Sequence, residues 1–184
     1  MPEAGPILYI ASELPKLSET FVYREILALR FKGIDVRVAS VHAQMDNFAR
    51  PELAELKRDA VVVYQGGVLG VLVDVMLETM GHPLPTAMTM LHAKLDPLCA
   101  KGLTITGRFK AFYQYLAGIS LARRVRDTGV RHIHAHFAHV PATIAMAAAK
   151  QLGIPFSFTG HANDLFQHRS LLEEKLDRAA FVAC

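Results

Sequence analysis

Short apolar runs alternate with amphipathic stretches along the chain. Residues 6–11 form a continuous apolar run before a loop, which is typical of a strand buried on both faces of a parallel sheet. Apolar positions then recur at helical spacing from 22 to 29, with Ser18 as a candidate N-cap and Gly33 at the expected helix end. A second strand is predicted at 36–40, so the first part of the chain predicts a right-handed strand-helix-strand unit with parallel strands.

The middle of the chain is more strongly helical. Residues 60–64 predict a third strand, and residues 66–100 predict one or two apolar helices broken around Gly81-His82-Pro83. A longer helix is predicted at 108–126, with aromatic residues at helical spacing and basic residues on its other faces. Such a helix is either a core helix with a solvated basic face or a helix at a membrane surface.

The last third returns to alternation. It predicts a strand at 132–136, a helix at 141–152 that ends at Gly153, and strands at 155–159 and 180–184. The whole pattern predicts the α/β class, a Rossmann-like parallel sheet with helices on both faces, in a single domain spanning residues 1–184. Because the sequence stops inside an apolar, strand-like run, we expect it to be part of a longer protein.

Composition narrows the class of protein. The 184 residues are 52% hydrophobic and 20% charged, which excludes a disordered or fibrous chain. The two cysteines, Cys99 and Cys184, form no CxxC or other spaced motif, which predicts a reduced, intracellular protein. The sequence shows neither a secretory signal nor a run of about 20 uncharged apolar residues, so we expect a cytoplasmic location.

Positive charge is concentrated between residues 101 and 131. Seven basic residues there face a single acidic one, Asp127, whereas the net charge of the whole chain is +3. The concentration predicts an anionic partner, and Arg123, Arg124 and Arg126 are the candidate contacts to a membrane or another anion. No nucleic-acid-binding motif accompanies them, so nucleic acid is not an expected partner.

Three loops follow predicted strands, where ligands bind in open α/β sheets. The first contains Ser18, Glu19 and Thr20 at a helix N-terminus, whose free amides favour anions, although it carries neither a dinucleotide fingerprint nor a P-loop. The alternative is that Ser18 or Thr20 only caps the helix.

The second loop follows a histidine-rich strand. His132, His134 and His136 alternate, so they are predicted to lie on one face of the strand, and His139 follows. Histidines in this pattern form either a metal site or the polar wall of a sugar or phosphate pocket. Because no carboxylate follows at a spacing typical of a metal site, we predict neither a metal nor another cofactor.

The third loop starts at Gly160, where glycine permits a close backbone approach, and continues with His161 and Asp164. The imidazole can hydrogen-bond a sugar hydroxyl, or a phosphate when it is protonated. Alternatively, His161 and Asp164 form a structural pair that caps the following turn.

In these three loops the sequence resembles the N-terminal domain of the GT-B retaining glycosyltransferases of family four, especially the bacterial branch that builds exopolysaccharide and colanic-acid-like repeats. The segments that carry the resemblance are LPKLSETF at 14–21, HIHAHF at 132–137 and PFSFTGHAND at 155–164. The likeness runs from Ile7 to Cys184, although residues 66–107 contain no distinctive motif.

The resemblance implies an acceptor-binding domain that works with a C-terminal domain holding the nucleotide-sugar donor. His161 would be the catalytic residue, and Ser18, Glu19, Thr20, His134, His136 and Asp164 would contact substrate. The acceptor would be a saccharide or a lipid-linked sugar at the inner face of the cell membrane. The C-terminal basic pair and glutamates of the family lie outside this sequence, so we expect the chain alone to be inactive.

Two other functions stay open from the residues. One is a metal-dependent hydrolase that uses His132, His134, His136 or His139. The other is a non-catalytic module that binds a phosphorylated ligand or a membrane surface.

Overall fold

A computed structural model describes residues 5–161 and 170–184. The strands described there form one parallel sheet in the order β3-β2-β1-β4-β5-β6. Their bounds are β1 (Ile7–Glu13), β2 (Val36–His42), β3 (Val61–Val62), β4 (His132–His136), β5 (Phe156–Thr159) and β6 (Val182–Ala183). The prediction of an α/β, Rossmann-like parallel sheet is therefore confirmed.

Helices cover both faces of this sheet. Their bounds are α1 (Thr20–Phe31), α2 (Pro51–Asp59), α3 (Gly67–Gly81), α4 (Pro83–Cys99), α5 (Ile105–Val125), α6 (Val140–Leu152) and α7 (Leu172–Arg178), with a 3₁₀ turn at Arg126–Thr128. On one face, α1 and α2 pack over a core that includes Tyr9, Val38 and Ile26. On the other, α5 and α6 bury Leu8, Ile10 and their neighbours.

Helices α3 and α4 form a further layer, because they pack mainly on α5 and α6 instead of on the sheet. The α5–α6 contact beneath them is unusually close. A Cβ added to Gly118 would lie 2.5 Å from the Cβ of Ala147 and 2.8 Å from the backbone oxygen of Ile144. Glycine at position 118 therefore sets the distance between these two helices. No helix in the described part of the chain is long and apolar enough to cross a membrane.

Several element predictions are confirmed, and a few differ in detail. The break in the apolar segment is confirmed, since α3 ends at Gly81 and α4 begins at Pro83. Ser18 does not cap α1: Glu19 occupies that position without a side-chain hydrogen bond. The last strand is two residues long, shorter than predicted. The sequence reasoning missed α2 and α7, which are short and mostly polar.

The strand order reverses between β1 and β4, which pair with each other although α1 to α5 separate them along the chain. The chain continues from β1 to β2 on one side and from β4 to β5 on the other, so the loops that leave β1 and β4 run in opposite directions. Such divergence creates a crevice at the carboxyl ends of the two strands. Ligands of open α/β sheets bind in such crevices. All three loops selected from the sequence belong to strands β1, β4 and β5, at or beside this position.

Candidate functional site

The loop after β1 is held firmly at the edge of the crevice. Its Leu14–Pro15 peptide bond is cis, and Leu14 is buried. The backbone N–H of Leu14 donates to Ser40 Oγ at 2.9 Å, and Gln44 Nε2 donates to the Pro15 oxygen at 2.6 Å. The loop thus has a defined conformation supported by β2 and the segment after it.

The three residues predicted at this loop have different surroundings. Ser18 lines a surface cavity of about 410 Å³ together with Lys16 and Gln44. Glu19 Oε1 lies 3.4 Å from Lys16 Nζ, while its other carboxylate oxygen is buried without a hydrogen-bond partner in the described chain. Thr20 lines a separate groove between α1 and the start of α2, with Arg50 and Glu52. Ser18 and Glu19 therefore both lie beside Lys16, whereas Thr20 borders a different groove.

The histidines of β4 share one face of the strand, as the alternation predicted. Ser157 Oγ lies 2.7 Å from His132 Nε2 and 2.8 Å from His134 Nδ1, and His134 Nε2 lies 3.0 Å from Thr159 Oγ1. Burial, together with the nearby His136, lowers the pKa of His134 to about 4, so this imidazole is neutral near pH 7. Hydroxyl groups of β5 thus engage both ring nitrogens of His134.

His136 is the next histidine along β4, and its environment is different. It is only 2% exposed, and neither of its ring nitrogens forms an aligned hydrogen bond with any described residue. Its Nε2 lies 3.5 Å from Glu25 Oε2 on α1, an ion-pair distance. Tyr9 donates its hydroxyl proton to the other oxygen of Glu25 at 2.8 Å.

Glu25 is a member of the site that sequence reasoning missed. Its polar contact with His136 lowers its pKa to about 2, against the opposing effect of burial and with help from the Tyr9 hydroxyl, so the carboxylate is charged. The only signal in the sequence was a carboxylate directly before Ile26, on a helix that faces the histidine strand. A contact between α1 and β4 depends on the strand order, which the sequence pattern alone does not specify.

His161 closes the far side of the crevice. Its ring centroid lies 5.0 Å from that of Phe21 on α1 and 5.0 Å from that of Phe137, just after β4. Phe21 also contacts His136, with 5.9 Å between ring centroids. Phe137 has a φ of 75°, in the left-handed region, where the chain turns sharply as it leaves β4. The aromatic ring of Phe21 thus joins the two histidines into one cluster.

Unpartnered polar atoms are concentrated in this crevice. Within the described ranges, half of the eight buried side-chain atoms without a hydrogen bond belong to His136, His161 and Glu19. Buried polar atoms are normally paired, because an unmet hydrogen bond costs about 1–3 kcal/mol. Three of the predicted site residues therefore offer hydrogen-bonding capacity that the described protein groups leave unused.

The remaining predicted contacts lie elsewhere. Asp164 falls outside the described residues. Arg123 and Arg124 lie 3.4 Å and 2.8 Å from the carboxylate of Asp74, and Arg126 pairs with Glu78. These pairs connect α5 and the 3₁₀ turn to α3, so the three arginines have carboxylate partners within the fold. Their contact with an external anion stays a prediction.

One arrangement has the composition of a metal site. Glu25, His134 and His136 each place one potential ligand atom within 4.8 Å of the others. Two imidazoles and a carboxylate are a ligand set that suits zinc and similar divalent ions, which need donor atoms at about 2.0–2.2 Å. The set fits such an ion only if Glu25 moves inward and His134 exchanges one hydroxyl contact for the metal. Neither His132 nor His139 belongs to it.

Comparison with family models gave no match, and neither the curated proteins nor the solved structures contained a match to this chain.

Proposed function

We propose that this chain is the acceptor-side domain of a retaining glycosyltransferase that uses a nucleotide-sugar donor. The observation that carries the proposal is that His136 and His161, which both contact Phe21 at the reversal point of the parallel sheet, keep buried ring nitrogens without a hydrogen bond from any described residue. The resemblance of the three loop motifs to family-four enzymes supports the same assignment.

The reaction needs few groups from this domain. The bond between the anomeric carbon and the donor diphosphate breaks, and the acceptor hydroxyl oxygen bonds to the same face of that carbon while its proton passes to the departing diphosphate oxygen. The transition state carries positive charge at the sugar ring and growing negative charge on the diphosphate. His161 Nε2 is available to donate a hydrogen bond to the reacting sugar or the diphosphate. Phe21 and Phe137 hold the imidazole ring in place, so this hydrogen-bond donor is preorganised.

On the acceptor side, the unused nitrogens of His136 can bond a sugar hydroxyl. The Glu25 carboxylate of α1 lies 3.5 Å from His136 Nε2, so a negative charge stands beside the imidazole. Ser18 and the cavity next to it extend the binding surface along the loop after β1. A donor domain would close over the same edge of the sheet.

The test is the substitution His161→Ala in the complete reading frame that encodes this chain. Transfer is measured with radiolabelled UDP-glucose, UDP-galactose and GDP-mannose and a lipid extract as acceptor. We expect a loss of at least about 100-fold in transfer, the scale for removing one transition-state hydrogen bond. The melting temperature should stay close to that of the unsubstituted protein, because His161 is only half-buried and its Nε2 has no hydrogen bond with a described residue to lose.

The matched control is His82→Ala, which removes a half-exposed histidine at the α3–α4 junction, away from the crevice. It should leave transfer unchanged. Near-normal turnover in the His161→Ala protein, with a normal melting temperature, would refute the proposed role.

A second candidate is a metal-dependent hydrolase, which the juxtaposition of Glu25, His134 and His136 favours. Bound water on such an ion would be the nucleophile. Elemental analysis and titration with Zn²⁺ test this candidate. A metal-dependent hydrolase requires one equivalent of bound Zn²⁺ in the unsubstituted chain and the loss of that Zn²⁺ in Glu25→Gln. A metal-free protein that takes up no Zn²⁺ would eliminate this candidate.

A further inference from the structure

Helix α4 has apolar residues on two sides, and the described residues cover only one of these sides. The covered side includes Thr89 and Ala93, which pack inward. The other side presents large apolar residues at helical spacing: Leu84, Met88, Leu91, Leu95 and Leu98, all exposed by 46% or more. A helix of a globular protein normally directs such a stripe into the core.

Helix α3 continues this surface. Leu69, Leu72, Met76 and Met80 recur at spacings of three and four residues, and all are exposed. The two helices are consecutive, separated only by His82, and both pack on α5. Exposed single apolar residues are ordinary, but a contiguous apolar surface marks an interaction site. We call this surface, formed by the exposed stripes of α3 and α4, the outer apolar face.

A groove extends the outer apolar face toward the start of α5. It measures about 450 Å³ and is bordered by Leu98, Ile105 and Phe109. Ile105 and Phe109 are exposed by 75% and 71%. Lys94 and Arg108 border the same groove. An apolar groove with cationic groups at its margin suits a lipid tail and its anionic headgroup.

The exposed charges of the segment that carries this face are of one sign. Residues 66–112 contain three carboxylates, and each is turned inward to a partner: Asp74 to Arg124, Glu78 to Arg126 and Asp96 to Arg178. Lys94, Lys101 and Lys110 are exposed, and no described carboxylate pairs with them. The solvent-facing surface of the segment is therefore apolar and cationic.

We propose that the outer apolar face docks on an anionic lipid bilayer, with α3 and α4 lying in the plane of the headgroups. Apolar burial together with attraction to anionic lipid is the combination that holds amphipathic helices at a bilayer surface. A second copy of this chain fits less well, because symmetric pairing would bring the same lysines together. The inference goes beyond the proposed function and does not depend on it.

The experiment is cosedimentation of the full chain with vesicles. One set contains phosphatidylcholine and phosphatidylglycerol, and the other contains phosphatidylcholine alone. We expect binding to the anionic vesicles and clearly weaker binding to the neutral ones. The variant Leu84→Glu/Met88→Glu should bind at least about tenfold more weakly, since it removes apolar contact and adds repulsion.

The matched control is Phe31→Glu/Met45→Glu. It makes the same change of charge at two exposed apolar residues, 93% and 85% exposed, that lie outside the outer apolar face. This variant should bind as the unsubstituted chain does, apart from a small uniform loss due to net charge. Circular dichroism of both variants confirms that they are folded.

Three results would overturn the proposal. The chain could stay in the supernatant with both kinds of vesicle, or the two double variants could lose binding equally. Alternatively, sedimentation velocity could show a dimer that only Leu84→Glu/Met88→Glu dissociates, without vesicle binding, which would assign the face to a second copy. None of these outcomes bears on sugar transfer by the His161→Ala protein, so the two proposals fail separately.

Discussion

Two groups of ionisable side chains differ in how completely they are paired. One is the cluster around Asp96 of α4, and the other is formed by His136 and His161 in the crevice. Asp96 accepts hydrogen bonds from Tyr115 and, at 2.6 and 2.9 Å, from the two terminal nitrogens of Arg178. Burial would raise its pKa, but the bonds from Arg178 and Tyr115 outweigh burial and hold the pKa below the usual value. His136, by contrast, forms no aligned hydrogen bond with any described residue, and its nearest charged group is Glu25 at 3.5 Å.

This difference separates two roles for buried polar groups. In the Asp96 cluster, the carboxylate of α4 accepts hydrogen bonds from Tyr115 of α5 and Arg178 of α7. These bonds stabilise the packing of the three helices. In the crevice, the described residues leave hydrogen bonds of His136 and His161 unmet, which lowers stability but leaves polar atoms available to a ligand. Substitutions should therefore reduce stability most in the Asp96 cluster.

The largest effect is expected for Asp96→Ala. It leaves Arg178 without its bidentate partner and the hydroxyl of the fully buried Tyr115 without its acceptor. Breaking such a pair from one side should lower the free energy of unfolding by about 4 kcal/mol. Urea denaturation measures the change. Asp59→Ala is the control, because this surface carboxylate lies 3.8 Å from Arg30 and should contribute under about 1 kcal/mol. Equal losses in the two variants would contradict the distinction.

A smaller effect is expected from acidification, through His134. Burial lowers its folded-state pKa to about 4, whereas the unfolded value is near 6.5. Between these values the unfolded chain holds a proton that the folded chain lacks, so the protein loses stability as the pH falls through this window. The loss should reach at most about 3 kcal/mol by pH 4.

Urea denaturation at pH 7, 6, 5 and 4 checks this dependence. His134→Asn, which keeps a polar side chain beside Ser157 and Thr159, should flatten the curve over the same window. The dependence is assigned wrongly if the variant and the unsubstituted chain lose stability in parallel.

The smallest effect is expected for Arg123→Ala. Arg123 is 40% exposed and lies 3.4 Å from an Asp74 carboxylate that Arg124 and Ser120 also contact. Removing one exposed partner of a shared carboxylate should cost about 0.5 kcal/mol. Arg124→Ala should cost more, since Arg124 also donates to the backbone oxygen of Val62 at 2.8 Å. If Arg123→Ala costs as much as Asp96→Ala, exposure and pairing do not set the ranking.

Local features of the fold could be predicted from the sequence, whereas contacts between distant segments could not. The strands, the break at His82 and the shared face of the β4 histidines follow from local periodicity, and all of them could be predicted. The pairing of Glu25 with His136 could not, because it joins residues more than 100 positions apart through the strand order. The inward orientation of Asp74, Glu78 and Asp96 was equally hidden, since the apolar pattern of α3 and α4 does not say which side is covered.

The close contact at Gly118 has a consequence for how the protein transmits orientation. Helices α3 and α4 rest on α5, and α5 meets α6 so closely that no side chain fits between them at this position. Helix α6 begins four residues after the last histidine of β4, at the mouth of the crevice. These elements therefore form one continuously packed unit between the outer apolar face and the crevice. If the outer apolar face lies on a bilayer, its tilt would fix the distance and the angle between the crevice and the membrane. That distance would determine how far from the membrane the hydroxyl of a lipid-linked acceptor sugar can react.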